Sequence, residues 1–229
     1  MSKRETMTDN FSELRVKMVD GQVRTTDVTN LPLLTAMLSV PREKFVPESR
    51  KALAYIDEDL LVFGQSGQGA RYLMEASPFA KMVQLAEVGP HDRVLDVGAC
   101  TGYASAVLSR LAGTVVALES DASLAEQASA TLAELGCKNV TVVRGPLESG
   151  HLAAAPYDVI LLGGSVEEVP QALLDQLAEG GRLVAVEGRG NAGTARIYLK
   201  SGGIATGRRA FNAAVKPLPG FVKAREFEF

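Results

Sequence analysis

The sequence of 229 residues has few of the features that mark several common classes of protein. Its two cysteines, Cys100 and Cys137, lack the paired spacing of a zinc site or a Cys-x-x-Cys motif, so we predict no metal and expect a reducing compartment, the cytoplasm. No apolar stretch approaches the roughly 20 residues that a membrane helix needs. Residues 1–6 are polar, unlike a signal peptide. We therefore expect a chain that is neither exported nor bound to a membrane.

Basic runs and the common catalytic motifs are also missing. The formal net charge of −3 argues against the backbone of a nucleic acid as the main partner. The sequence has no Walker loop and no His-Glu-x-x-His motif, and Gln68 stands where a Gly-x-Ser-x-Gly elbow that begins at Gly64 would need its last glycine. These absences favour a protein, peptide or small-molecule substrate.

What the sequence does contain is a regular alternation of strand and helix patterns from residue 93 onward. Strands that alternate with helices indicate a parallel sheet covered on both faces. We predict an α/β fold with a Rossmann-like, doubly wound, mostly parallel sheet, an antiparallel edge and an N-terminal helical subdomain. The predicted strands are residues 93–97, 115–118, 140–143, 159–162 and 183–186, and the predicted helices are residues 104–111, 124–135 and 170–177. Gly180-Gly181 is interpreted as the C-cap of the last helix.

The regions before and after this alternation complete the organisation. Residues 11–55 have helical spacing, and the glycine-rich residues 63–69 are interpreted as a flexible link. A helix from about residue 77 to residue 86 follows, with Ser77 before Pro78 as its N-cap. The glycines of residues 188–193 match Gly-x-Gly-x-x-Gly, but a strand-like pattern follows them, so we interpret them as a loop before a hairpin. We predict one domain of residues 1–76 and a second of residues 77–229.

The most informative segment is residues 94–103, VLDVGACTGY. An apolar strand ends there in a glycine-rich turn where helical spacing begins, so the backbone could pass close to a ligand at the helix N-terminus. The next apolar strand ends at Glu119, whose carboxylate could accept both hydroxyls of a ribose. Together, Asp96 and Glu119 predict an adenosine site. The alternative is a turn that only packs a helix on the sheet.

The spacing of the glycines distinguishes between adenosine ligands. A dinucleotide turn, Gly-x-Gly-x-x-Gly, would need glycine where Cys100 and Tyr103 stand. The turn instead has Asp96 two residues before Gly98 and a further glycine at Gly102. This pattern resembles the first motif of class I S-adenosylmethionine methyltransferases, in which the acid faces the ligand. A nicotinamide-dependent oxidoreductase is therefore a weak alternative.

Several segments together resemble the protein-L-isoaspartate O-methyltransferase family over nearly the whole chain. They are residues 18–24 (MVDGQVR), 37–47 (MLSVPREKFVP), 54–57 (AYID), 156–160 (PYDVI) and 177–184 (LAEGGRLV). The first three are specific to the family, and the last two occur in many methyltransferases. The resemblance implies a cytosolic repair enzyme that methylates the α-carboxyl of isoaspartyl residues with S-adenosylmethionine, on a protein or peptide substrate.

The resemblance also implies the roles of the two domains. Residues 1–76 would carry the substrate loop, and residues 77–229 would bind S-adenosylmethionine. The predicted cofactor-binding residues are Asp96, Gly98, Ala99, Cys100, Gly102, Tyr103, Glu119, Ser120, Gly145, Pro146 and Leu147.

Two departures from the family fall where the chemistry would be done. The family's Gly-Gln-Thr-Ile-Ser-x-Pro loop aligns without gaps on residues 70–76, so its serine becomes Met74, whose thioether cannot donate a hydrogen bond to a carboxylate. The family's acid that pairs with the adenine amino group becomes Pro146. We assign no catalytic residue. The candidate residues of the acceptor loop are Arg71, Tyr72, Met74 and Glu75, and Ser77 is an alternative donor if the loop shifts.

Two functions stay open from the sequence. The first is a methyltransferase of the isoaspartyl family with an altered acceptor, which the intact Asp96, Gly98 and Glu119 favour. The second is a protein that binds S-adenosylmethionine without isoaspartyl methylation, which Met74 and Pro146 favour. The methyl acceptor and the oligomeric state are not determined by these patterns.

Overall fold

The computed structural model describes residues 3–65, 69–188 and 190–221. The helices are α1 (Lys3–Met18), α2 (Leu31–Ser39), α3 (Ala76–Ala86), α4 (Tyr103–Leu108), α5 (Ala122–Glu134) and α6 (Gln171–Asp175). The strands are β1 (Leu60–Phe63), β2 (Arg71–Leu73), β3 (Arg93–Val97), β4 (Thr114–Glu119), β5 (Val140–Arg144), β6 (Tyr157–Val166), β7 (Leu177–Glu187), β8 (Thr194–Ser201) and β9 (Ile204–Asn212). No described helix is long and apolar enough to cross a membrane.

Seven of the described strands form one sheet in the order β5-β4-β3-β6-β7-β8-β9. The five strands from β5 to β7 are parallel, and β8 and β9 form an antiparallel hairpin at the edge. The predicted fold class is confirmed, and so is the hairpin after residues 188–193. The strand order changes direction at β3, and ligands of such sheets bind beyond the carboxyl ends of the strands at this point.

The apolar residues of the parallel strands divide between two core clusters, one on each face of the sheet. The larger cluster joins the sheet to the N-terminal elements through side chains such as Met18, Leu34 and Phe45. The other contains Leu95, Ile160 and the tail residue Leu218. Residues from both sides of the predicted boundary at residue 76 share the larger cluster, so the N-terminal elements pack directly on the domain that carries the sheet.

The glycine pair of residues 180 and 181 corrects one prediction. Gly180 and Gly181 do not cap a helix, since α6 ends at Asp175 and both glycines lie within β7. A Cβ on Gly181 would be 2.9 Å from the carbonyl oxygen of Tyr157, so the close approach of β6 excludes a side chain there. The two glycines lie in an irregularity of β7, between Leu177, which pairs with Tyr157, and Arg182, which pairs with Val159. The pairs with β6 on both sides of this irregularity keep the segment in the strand, where its glycines had indicated a helix end.

The start of α3 corrects another prediction. The N-cap of this helix is Glu75, with no side-chain cap bond, and Ser77 lies inside the first turn. The Ser77 hydroxyl donates instead to Oγ1 of Thr26 at 3.0 Å, so it connects α3 to the N-terminal region. The predicted helices at residues 104–111 and 170–177 are also shorter than expected, as α4 and α6. Part of the predicted link at residues 63–69 lies outside the described residues, and Phe63 belongs to β1.

Candidate active site

The carboxyl ends of β3, β4 and β5 bring most of the predicted cofactor-binding residues to one edge of the sheet. The backbone N–H groups of Gly98 and Ala99 both donate to the carbonyl of Leu118, at 2.9 and 3.0 Å. The N–H of Gly145 donates to the carbonyl of Glu119 at 3.1 Å. The three strand ends are thereby bound to one another, and their turns border one crevice.

Asp96, at the end of β3, is fully buried. Its Oδ2 accepts a 2.5 Å hydrogen bond from the hydroxyl of Ser105 in α4, while its Oδ1 has no hydrogen-bond partner among the described residues. Burial raises the pKa of Asp96 to about 6, and the Ser105 hydrogen bond opposes part of this rise. The acid therefore holds the turn against α4, and one of its oxygens remains an unsatisfied acceptor.

Both glycines of the turn have a positive φ, which disfavours any other residue, and both also have close neighbours. Gly98 has φ +81°, and a Cβ there would be 2.6 Å from Cδ2 of Leu218. Gly102 has φ +96°, and a Cβ there would be 3.3 Å from Cβ of Ala128 in α5. Gly102 thus serves the packing of α5, whereas Gly98 leaves space at the crevice. A side chain from the C-terminal tail, Leu218, occupies that space.

The side chains of Cys100 and Tyr103 point into the protein interior. Cys100 is in the left-handed region with φ +54°, and burial raises the pKa of its thiol to about 12, so the thiol stays protonated at neutral pH. The ring of Tyr103 contacts Phe45 and Phe79 at centroid distances of 5.6 and 5.7 Å. The guanidinium carbon of Arg42 lies 4.8 Å from the centroid of the same ring. Tyr103 therefore joins the sheet domain to the N-terminal elements.

Glu119, at the end of β4, is fully buried and already has several donors. Arg71 binds it in a bidentate pair, with Nη1 to Oε1 at 2.5 Å and Nη2 to Oε2 at 2.7 Å. The N–H of Cys100 donates to Oε2 at 2.8 Å, and those of Ser120 and Asp121 donate to Oε1 at 2.8 and 3.0 Å. A carboxylate has about four lone-pair sites. Glu119 is therefore saturated by groups of its own chain.

The residues after β5 lie beside the Glu119 end of the crevice. Pro146 is exposed and offers no side-chain donor or acceptor, whereas Leu147 is buried in the core on its face of the sheet. Ser120 is half-buried, and its hydroxyl lies 3.3 Å from Oε1 of Glu119. In the described part of the chain, no group of three or more metal-ligating side chains is placed to hold a metal ion.

The acceptor loop predicted at residues 70–76 is only partly a loop, because Arg71–Leu73 form strand β2, which pairs antiparallel with β1. Only Met74 and Glu75 connect this strand to α3, and the segment faces the glycine turn across the cavity that both line. Arg71 and Met74 are buried, and Tyr72 is half-buried with Nζ of Lys216 5.6 Å from its ring centroid. The backbone carbonyl of Met74 accepts a 2.7 Å hydrogen bond from Nη2 of Arg42. The loop residue Met74 is thus fixed through its backbone.

Acidic side chains surround the end of this loop. The N–H of Glu75 donates to Oδ1 of Asp59 at 2.9 Å. Burial, together with the like charges of Asp57 and Asp59, raises the pKa of the Glu75 carboxyl. Burial also raises the pKa of Asp59, while Lys216 nearby opposes that rise. A carboxylate that enters beside Glu75 therefore meets repulsion from these acids, which Lys216 near Asp59 and the buried Arg42 partly offset.

A cavity of about 30 Å³ lies between the glycine turn and the acceptor loop. Its lining includes Met74, Phe79, Gly98, Cys100 and Gly163. A site for one water needs about 10 to 15 Å³, so the cavity is of the size of about two waters. The predicted cofactor residues converge here, and Glu119 is paired with Arg71 while the Leu218 side chain lies against Gly98.

Several residues of the site were not singled out from the sequence, among them Arg42, Asp59 and Leu218. Arg42 lies within the signature at residues 37–47, and a lone arginine beside apolar neighbours is the signal that could have identified it. No feature of the sequence identifies Asp59 as a site residue, because it stands among other acids in residues 57–59. Leu218 belongs to Pro217-Leu218-Pro219-Gly220, a segment whose prolines predict a chain break and give no information on what it covers.

Comparison with known proteins gives consistent results. The family model for protein-L-isoaspartate(D-aspartate) O-methyltransferase matches residues 13–212. A protein-L-isoaspartate O-methyltransferase of Herpetosiphon aurantiacus is 39% identical over 180 residues, which cover 78% of each chain. Another, of Rhodopseudomonas palustris, is 37% identical over 202 residues, which cover 88% of this chain and 90% of that one.

Solved structures agree with the sequence relatives. A protein-L-isoaspartate O-methyltransferase superposes with a TM-score of 0.77 at 26% identity, over 91% of this chain and 66% of that longer one. A Plasmodium falciparum protein, described as a β-aspartate methyltransferase in complex with S-adenosyl-L-homocysteine, has a TM-score of 0.74 over 92% of this chain and 98% of that one. At 20% identity, this second likeness shows the fold alone. The predicted methyltransferase class and its cofactor, S-adenosylmethionine, are those of the matched family, and this chain belongs to the protein-L-isoaspartate O-methyltransferase family.

Proposed function

We propose that the chain methylates carboxylates of the isoaspartyl type in proteins or peptides, at the crevice beyond β3, β4 and β5. The observation that carries this proposal is the convergence of the Gly98 turn and Glu119 beside the acceptor loop, in a chain of this family. In the proposal, residues 77–229 bind S-adenosylmethionine, and residues 1–76 supply the loop that faces the acceptor. A cytoplasmic location belongs to the same proposal and is supported by the free thiols of Cys100 and Cys137.

The chemistry requires alignment more than proton transfer. S-adenosylmethionine carries a methyl group on a positively charged sulfur, and an ionised carboxylate can accept that group without a general base. The chain accordingly needs no catalytic thiolate, and the raised pKa of the buried Cys100 argues against one. Its contribution is to hold the acceptor loop and to exclude water. The anchoring of Met74 by Arg42 and the small size of the cavity are consistent with this role.

The side chains of the acceptor loop should make isoaspartyl carboxylates poorer methyl acceptors here than in the rest of the family. Met74 places a thioether where the family has a hydroxyl donor, and the nearby acids Asp59 and Glu75 disfavour a second negative charge. Lys216 is the compensating cation beside Tyr72. We therefore expect isoaspartyl methylation that is measurable but weak.

The test is transfer of a labelled methyl group from S-adenosylmethionine to an isoaspartyl peptide. The control is a peptide of the same sequence with a normal aspartyl residue, and a panel of small carboxylic acids identifies other acceptors. A carboxyl methyl ester is hydrolysed by base and releases volatile labelled methanol, which separates it from methylation on nitrogen or carbon. Base-labile label on the isoaspartyl peptide above the aspartyl control is the expected result.

Two other results would change the proposal. Calorimetric binding of S-adenosylhomocysteine, without base-labile label on any acceptor, would favour a protein that binds the cofactor and does not methylate isoaspartyl groups. Binding of NAD at micromolar concentration, with no heat from S-adenosylhomocysteine at millimolar concentration, would overturn the cofactor.

A further inference from the structure

The carboxylate that should hold the cofactor's ribose is engaged by the acceptor loop. The two oxygens of Glu119 accept from both terminal nitrogens of Arg71 and from three backbone N–H groups. A ribose diol would need acceptor sites on the same two oxygens. Because a carboxylate has about four lone-pair sites, a diol and the Arg71 guanidinium cannot both be satisfied there.

Because this ion pair is buried, separating its two charges is costly. The side chain of Arg71 is 5% exposed and that of Glu119 is not exposed at all. The parallel, two-bond geometry is the one in which arginine and carboxylate match best. A neutral diol that replaced Arg71 would leave the charge of Glu119 without a counter-charge, so the cofactor binds Glu119 only at the cost of separating this pair.

The C-terminal tail also closes the crevice, through Leu218, which meets Arg71 at Gly98. A Cβ on Gly98 would be 3.4 Å from Nη2 of Arg71 and 2.6 Å from Cδ2 of Leu218, so both side chains meet at the glycine turn. The tail is held in place by Ser165 of β6, whose N–H donates to the Lys216 carbonyl and whose carbonyl accepts from the Leu218 N–H, each at 2.9 Å. Two separate segments of the chain therefore close the crevice.

We propose that Arg71 is an internal competitor of the cofactor: its guanidinium occupies the ribose position at Glu119, and S-adenosylmethionine binds only to the form in which Arg71 and Leu218 have moved away. The inference rests on the proposed function, because it assumes that Glu119 holds the ribose. Since Arg71 begins the acceptor loop, cofactor binding and the position of that loop are coupled. The apparent affinity for the cofactor is then the affinity of the open form reduced by its population.

The test compares three full-length proteins by calorimetry with S-adenosylhomocysteine: the wild type, Arg71→Gln and Arg93→Gln. The glutamine keeps a polar side chain beside Glu119 but lacks the charge of the guanidinium and its two parallel hydrogen bonds. The control makes the same change at Arg93, an exposed residue at the amino end of β3, away from the crevice. We expect Arg71→Gln to bind at least about tenfold more tightly than the wild type and the control to stay within about twofold. A wild type with no measurable binding and an Arg71→Gln variant with clear binding would support the inference most strongly.

Two outcomes overturn the inference and are distinguishable. Wild-type binding that Arg71→Gln leaves unchanged or weakens would show that Arg71 does not compete, while the proposed cofactor stands. No binding by any of the three folded proteins would remove the proposed cofactor and the inference together. If Arg71→Gln does not fold, Arg71→Lys replaces it in the calorimetry, because lysine keeps the charge and loses the bidentate geometry. The same two outcomes would then overturn the inference. In a crystal structure of the wild-type complex, Arg71 should no longer contact Glu119, and an intact pair beside a bound ligand would contradict the proposal.

Discussion

The buried guanidinium of Arg42 donates to the backbone carbonyls of Ala54 and Met74, at 2.8 and 2.7 Å. It thereby joins the N-terminal signature, the segment before β1 and the acceptor loop at one point. The burial that this requires lowers the pKa of Arg42, and contact with the Tyr103 ring offsets part of the cost. Arg42 therefore fixes the backbone of the acceptor loop at Met74 through a buried hydrogen bond.

Replacing Arg42 by methionine should therefore destabilise the protein strongly. The variant leaves two buried carbonyls without a donor, and each unsatisfied group costs about 1 to 3 kcal/mol. Urea denaturation should show the loss in the free energy of unfolding. The matched control is Arg24→Met, because Arg24 makes only an exposed pair with Asp20, worth about 0.3 to 0.5 kcal/mol. Equal losses in the two variants would contradict the anchoring role.

Asp96 predicts a dependence of stability on pH. Its pKa of about 6 in the folded protein lies above the usual value of 3.8 for an aspartyl carboxyl, so the folded state binds more protons between these values. The contribution of Asp96 is therefore most favourable below about pH 4 and is lost as the pH rises through about 6. The full loss is about 3 kcal/mol, from about 1.4 kcal/mol for each pKa unit.

The measurement is the unfolding free energy of the wild type and of Asp96→Asn at several pH values from about 4 to 7. The stability of the wild type should fall relative to the variant across this window, because asparagine does not titrate. Exposed Glu58, replaced by glutamine, is the control and should show no comparable trend. A constant difference between the wild type and Asp96→Asn would contradict the raised pKa.

The Arg71 and Glu119 pair predicts strong coupling in a double-mutant cycle. Glu119→Gln leaves the guanidinium of Arg71 buried without a counter-charge, and such losses amount to about 3 to 5 kcal/mol. The double variant Arg71→Met with Glu119→Gln removes both charges and keeps an acceptor oxygen for the N–H of Cys100 or Ser120. Chemical denaturation should give the double variant a smaller loss than the sum of Arg71→Met and Glu119→Gln. Losses that add within about 0.5 kcal/mol would show that the two charges do not interact.

Restoring the family's residues in the acceptor loop should increase isoaspartyl methylation. The combined change Tyr72→Thr, Met74→Ser and Ala76→Pro restores the family's residues at those positions. One hydrogen bond to a charged carboxylate contributes about 1 to 3 kcal/mol, so the rate of base-labile methyl transfer should rise about tenfold. The control replaces Met74→Ser by Met74→Leu in the same background, which keeps the bulk without a hydroxyl. A grafted protein that folds and binds the cofactor, yet stays at background, would assign the lost activity to another part of the site.

The sequence predicts the sheet and the meeting of Asp96 with Glu119 because both depend on local patterns. Apolar runs followed by glycine or an acid identify parallel strands and their carboxyl ends, and the topology of such sheets places those ends at one edge. The hairpin after residue 193 follows from alternation in the same way.

The partners of these groups depend on contacts between segments that are distant in the sequence. Arg71 and Glu119 are 48 residues apart, and neither local pattern indicates that one neutralises the other. Leu218 lies against Gly98 in a tail that is hydrogen-bonded to Ser165. Gly181 lies within a strand because the residues on both sides of its irregularity pair with β6. The sequence by itself determined that the glycine turn, Asp96 and Glu119 stand at the carboxyl ends of neighbouring strands, since local spacing positions them. Only the tertiary structure decided which of them are free to bind, because burial and long-range pairing set the partners of each charge.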